Sequence, residues 1–240
     1  MFYNDIKVYM KIKNIILFCS LMFIGFVIIL VNGCTKGEDN IIRDLDGNVY
    51  TSVIIGTQVW MVENLKTTRF SNGDVIETTH PSRLDISEEV SPEYQWAPNG
   101  DESNIARYGR LYTGYVANDS RNVCPTGWHV PTDDEWMTLS DYLGGSDIAG
   151  GKLKEAGTTH WAAPNTGATN ETGFSALPSG GRPNSFCCIG NSGHYWCSYL
   201  GGSGAWVFGL LWELSYSGSW TGHESNPLDS GWSIRCLKDY

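Results

Sequence analysis

Cys124-Pro-Thr-Gly-Trp-His-Val-Pro-Thr-Asp-Asp-Glu-Trp-Met-Thr-Leu139 holds enough local chemistry to organise the chain around it. Pro131 keeps Val130 out of helical conformation, because the proline ring clashes with a helical residue before it. The residues up to Val130 therefore read as a strand and turn, and a helix starts just after Pro131. Thr132 is placed as N-cap, with a hydroxyl that accepts from a first-turn N–H. Glu135, three residues on, can reach back to the amide of Thr132 and complete a capping box. Asp133 and Asp134 add negative charge where the helix dipole is positive. Trp136, Leu139 and Leu143 recur at helical spacing and predict one buried face, with Gly144 as the stop.

Three further blocks lie along the chain in order: Asp46-Gly-Asn-Val-Tyr50, Gln58-Val-Trp-Met-Val-Glu-Asn-Leu65 and Ser233-Ile-Arg-Cys236. With Cys-Pro-x-Gly-Trp-His-x-Pro-Thr and the following Glu-Trp, they resemble the Fibrobacter succinogenes major paralogous domain over residues 44–239. That family is abundant in lipoproteins of the Bacteroidetes and Fibrobacteres. The resemblance implies an α+β fold: a single C-type-lectin-like domain with short strands, two short helices and long loops. The Pro-Thr-x-x-Glu-Trp helix is also similar to one in formylglycine-generating enzymes, and a likeness of fold does not carry function.

The resemblance further implies a disulfide between Cys124 and Cys236, matching the long-range bridge of lectin-like domains. Of the remaining cysteines in the folded part, Cys187 or Cys188 can bridge to Cys197 across a hairpin, with Cys188–Cys197 the pairing carried forward. Gly114 stands where the family commonly has tryptophan, which predicts looser packing there.

Lys7, Lys11 and Lys13 precede an apolar run from Ile15 to Val31 and then Asn32-Gly33-Cys34. A basic start, an apolar middle and a small residue before the cut define a secretory signal. Residues 1–33 read as a lipoprotein signal peptide, Cys34 as the lipidated residue, residues 34–43 as a polar tether and 44–240 as the domain. The implied location is the outer membrane, with the lipid as anchor and the acidic start of the tether favouring surface display.

The chain carries a net charge of −10, and removing residues 1–33, with Lys7, Lys11, Lys13 and Asp5, takes it to −12. An acidic domain repels phosphate backbones, which argues against nucleic acid as a partner. Twenty-eight glycines and ten tryptophans suit a loop-rich domain with aromatic anchors.

Asp44 to Leu65 reads as strands, with turns at Asp46-Gly47-Asn48 and Gly56-Thr57. The spacing of Asp44, Asp46 and Asn48 does not fit a calcium loop. Thr78 to Asn104 reads as a surface excursion pinned by Tyr94 and Trp96. A second short helix is expected at Gly150–Glu155, and closing strands at Tyr195-Trp196, Ala205–Phe208 and Ser233–Leu237.

No catalytic constellation is read. Cys187, Cys188, His194 and Cys197 offer soft ligands, but their spacing is not a zinc pattern and no metal is assigned to them. His129 is expected to pack beside Trp128, and Asp133, Asp134 and Glu135 to serve as capping groups. No cofactor is assigned; calcium would need the loop oxygens of Asn165, Asn170, Glu171 and Asp229 to converge. Ligand contact is assigned to Trp161, Trp212 and Trp220 for stacking and to Asn165, Asn170 and Glu171 for polar contacts, while Trp206 and Trp232 are assigned to the core. These residues predict a binding or adhesion module with a glycan or protein ligand on the long-loop face. The alternatives are an oxidase of the formylglycine-generating type, marked by a reactive thiol in a cleft, and a structural part of a surface assembly.

Overall fold

The computed structural model describes residues 41–203 and 206–240. The signal peptide, Cys34 and the tether up to Asn40 lie outside the described residues. Ile42 to Tyr240 form one compact unit. The folded part begins two residues before the expected boundary. Ile42–Arg43 (β1) pairs with Val49–Tyr50 (β2), and Ile42 is buried in the core. The turn between them is closed by Asp44, whose carboxylate accepts from the amides of Asp46 and Asn48 and from the Tyr50 hydroxyl. A carboxylate engaged this way is a turn former, as the spacing predicts.

Ser52–Ile55 (β3) and Gln58–Met61 (β4) make the second hairpin, and Gly56 supplies the positive φ its turn requires. Trp128–His129 (β7) and Leu237–Lys238 (β12) complete an antiparallel sheet of order β3-β4-β12-β7. A small sheet of order β5-β6-β11 joins Gln95–Trp96 (β5), Leu111–Thr113 (β6) and Gly231–Trp232 (β11). Trp96, 1% exposed, anchors the excursion around it. Ser192–Ser203 (β8), Trp206–Ser215 (β9) and Thr221–Pro227 (β10) form an antiparallel meander.

Ile105–Tyr108 (α1) and Gly114–Ala117 (α2) are single turns. Asp133–Tyr142 (α3) carries the full capping box between Thr132 and Glu135, and buries Trp136 and Leu139. Ser146–Leu153 (α4) starts four residues ahead of the expected helix and ends at Lys154, which is already extended. The resulting architecture is α+β. Among the described residues no helix is long and apolar enough to cross a membrane.

The β8–β10 meander divides the core. Alternate strand residues face opposite sides, so Trp196 and Leu211 enter one cluster with Tyr50, Met61, Tyr112 and the Cys124–Cys236 bridge. Tyr195, Cys197, Trp212 and Leu214 enter another with Trp60, Trp136, Leu139 and Phe174. Ser233 to Cys236 is not a regular strand, in contrast to expectation. It runs from a bridge at Tyr195 to hydrogen bonds with Met61 and Leu65, serving two sheets in turn. Arg235 within it is buried, its guanidinium donating to Asn64 Oδ1 and lying 4.2 Å from the centre of the Phe174 ring.

Gly114 does not loosen its surroundings. A Cβ there would lie 2.6 Å from Leu228 Cδ2 and 3.2 Å from the Trp196 ring. The missing side chain admits the Leu228 segment instead.

Candidate binding surfaces

β8 and β9 pair from Ser192↔Ser215 to Trp196↔Leu211 and resume at Leu200↔Gly209, with a bulge between. β10 ends at Pro227, opposite Phe208. Beyond that point the β8–β9 hairpin runs on with no third strand among the described residues. Its outer part exposes Trp206 (84%), Leu200 (55%), Tyr199 and Val207. Trp206 is therefore not a core residue, as its apolar neighbours suggest. The core clusters reach Cys197 on β8 and Leu210 on β9, and among the described residues no element covers the strand where Trp206 lies.

The expected ligand groups do not come together. Trp161 is 1% exposed, and its indole N–H donates to the Ala176 carbonyl. Beside it the Lys154 ammonium donates to the carbonyls of Thr166, Ser215 and Gly218, while burial lowers its pKa to about 8. Trp212 is stacked on Trp136 at 5.8 Å and 13°, so its ring face is not available to a sugar. Its N–H donates to Asp133, which also meets His223 Nδ1 at 2.7 Å. Asn165 is buried, and its amide donates to the Glu155 and Gly157 carbonyls. Asn170 holds Ser175, and Glu171 pairs with Lys152 at 3.0 Å. Asn165 and Asn170 are thus taken up in hydrogen bonds and Glu171 in an ion pair. Trp220 alone of the three expected stacking groups is exposed, at 43%. Nearby, Met137, Ser140, Asp141, Thr221, His223 and the edge of Trp212 line an open cleft of about 420 Å³.

Cys124 and Cys236 are bonded, with Cα atoms 6.0 Å apart. The Cys188–Cys197 bridge does not form: Cys187, Cys188 and Cys197 are free. Cys197 points from β8 into the core, whereas Cys187 lies in a separate loop bridged to Gly181. Burial pushes the Cys187 thiol up to about 12 and raises Cys197 as well. His194 and Cys197 sit three residues apart on β8, so they face opposite sides and cannot share an ion.

His129 does more than pack beside Trp128. Its Nδ1 is 2.7 Å from Asp239 and its Nε2 is 3.1 Å from Glu135, so Glu135 serves both the capping box and the imidazole. The hydrogen bond with Glu135 raises the His129 pKa, against burial. Burial pushes the Glu135 carboxyl up, but His129 and the Thr132 amide outweigh it and lower it. A raised folded-state pKa gives stability that is complete below the ordinary value of 6.5 and is lost as pH rises through the raised value. The Glu135 contribution is present above its ordinary 4.5 and is lost as pH falls through the lowered value. Wild type should therefore lose more stability than His129→Gln between pH 5.5 and 8.5, read by urea melts at each pH. Parallel profiles would show that the imidazole does not titrate in this pair.

The unit is thus an α+β domain with a disulfide-tied end, a divided aromatic core and a projecting hairpin. Residues 53–238 match the Fibrobacter succinogenes major domain, and the chain belongs to that family. Neither a curated protein nor a solved structure matches it.

Proposed function

We propose that this is an exported, lipid-anchored binding module of the outer-membrane surface, and that it holds a protein partner through the outer end of the β8–β9 hairpin. The observation that carries this reading is Trp206, exposed over most of its surface beside Tyr199, Leu200 and Val207. Mixed aromatic and aliphatic groups suit a protein contact, where a large aromatic anchor dominates the energetics. A sugar would want ring faces flanked by hydrogen-bonding groups. The lectin-like reading of the fold draws support from the Cys124–Cys236 tie and from the loop-rich stretch over residues 158–181.

Glycan recognition is the second reading, favoured by Trp220 beside the cleft that holds Asp141 and His223. An oxidase of the formylglycine-generating type would have to use Cys188, the exposed free cysteine, because burial raises the thiols of Cys187 and Cys197.

The test uses the full chain in detergent against arrayed matrix proteins and mucins, before and after enzymatic deglycosylation. Binding that survives deglycosylation and falls at least about tenfold in Trp206→Ala supports the protein contact. Binding that disappears with the glycans and depends on Trp220 transfers the role to the cleft. No binding by folded protein would leave a structural part of the surface as the reading.

A further inference from the structure

The β8–β10 meander carries a second constellation on the face opposite Trp212. His194 on β8 stands directly across from Glu213 on β9, and Glu213 stands across from Gly222 on β10. Residues two apart on a strand share a face, so Glu224 joins His194 and Glu213 on one side. Ligand atoms of the three residues all lie within 4.8 Å of one another, and His194 Nε2 is 3.8 Å from a Glu213 oxygen.

Neither imidazole nitrogen is hydrogen-bonded. Nδ1 is buried with no partner, Nε2 is aimed at Glu213 beyond hydrogen-bond reach, and the side chain is only 9% exposed. Nε2 is the nitrogen that faces the carboxylates, and it is the free donor of the ring. The two carboxylates converge on the same spot, and among the described residues neither pairs with a lysine or arginine. Burial lowers the His194 pKa to about 4, so the ring is neutral and keeps a lone pair. Burial and then the charge of Glu224 raise the Glu213 carboxyl, as expected of two acids that lack a cation.

We propose that His194, Glu213 and Glu224 form a site for a divalent first-row transition ion, of which zinc is the representative. Tetrahedral ligands on bonds of about 2.1 Å stand roughly 3.4 Å apart, near the 3.8 Å between His194 and Glu213 and shorter than the 4.8 Å that bounds the three. Exposed Glu224 has the freedom to close the remainder. Calcium and magnesium take oxygen ligands, so the imidazole selects against them. Asn226 donates to Glu224 at 3.3 Å and accepts from the Trp232 indole, whose ring packs 4.4 Å from His194. Each strand of the meander gives one ligand, so the ion ties the three together and leaves a position open to water or to a donor from a partner.

The test titrates zinc chloride into the full chain in detergent, stripped beforehand with EDTA, by calorimetry and by thermal melting. One zinc per chain and a rise in melting temperature are expected, since an ion that binds only the folded state stabilises it. Glu224→Gln should weaken zinc at least tenfold without lowering the metal-free melting temperature, since it also removes the repulsion of Glu213. Glu213→Gln should do the same, and the cobalt-loaded protein should show d–d bands without a thiolate charge-transfer band. Affinity unchanged in both glutamate variants overturns the site. So does binding that is lost in Cys187→Ser or Cys188→Ser, or no saturation by millimolar zinc.

Discussion

Trp136→Ala should destabilise the domain by about 3–5 kcal/mol, the usual loss for a large aromatic removed from a packed core. Trp136 lies at the hub of its cluster, with Trp60 4.7 Å, Tyr195 5.6 Å and Phe174 5.9 Å away and Trp212 stacked on its face. It is also the main anchor of α3, so the cavity would open where the capped helix meets the β8–β10 meander. Trp136→Phe gives the contrast. The indole N–H is buried with no partner, and deleting it removes an uncompensated desolvation cost of about 1–3 kcal/mol. The phenylalanine variant should therefore lose much less than the alanine variant in urea melts. Similar losses for the two would mean that the N–H is satisfied in solution, and a small loss for alanine would mean that the cluster is loosely packed.

Loss of the Cys124–Cys236 bond should also be severe, at about 2–5 kcal/mol. The bond closes a separation of 112 residues, and the restriction it places on the unfolded chain grows slowly with loop length. Cys124→Ser with Cys236→Ser should lower the urea midpoint strongly, and added reductant should not lower that variant further, because Cys187, Cys188 and Cys197 are unbonded. A second drop with reductant would reveal another bridge. A negligible first drop would mean that the reduced chain already holds its two ends together by packing.

The α3 cap was legible because its parts lie within four residues, and Thr132, Glu135 and Gly144 act as local chemistry says they should. The hairpin turns at Asp44–Asn48 and Gly56 were legible for the same reason. What eluded sequence reasoning depends on segments far apart. Trp161 and Asn165 lie in a Gly-, Asn- and Thr-rich stretch that reads as exposed, yet that stretch folds over Lys154 and buries both. Trp212 lies only a few residues before the Ser- and Gly-rich run at 215–219, but strand alternation turns it onto Trp136. Trp206 has apolar neighbours, but the bulge and the end of β10 leave it outside both cores. His129 meets Asp239 across 110 residues. The convergence of His194, Glu213 and Glu224 needed strand register, although the bare signal of a histidine and two glutamates in adjacent strand-like runs was present in the sequence.

The bulge between Trp196 and Leu200 has a consequence for how this chain can change. Inboard of it, β8 serves both cores, and one inserted residue would exchange the faces of Tyr195 and Trp196, spoiling both clusters together. Outboard of Gly209, which packs on Trp196, none of the described residues belongs to either core cluster, so residues can be added, lost or replaced at the far end without disturbing the register inside. The domain thus has a fixed interior and an editable finger, and new contacts can be tried on the finger at little risk to folding.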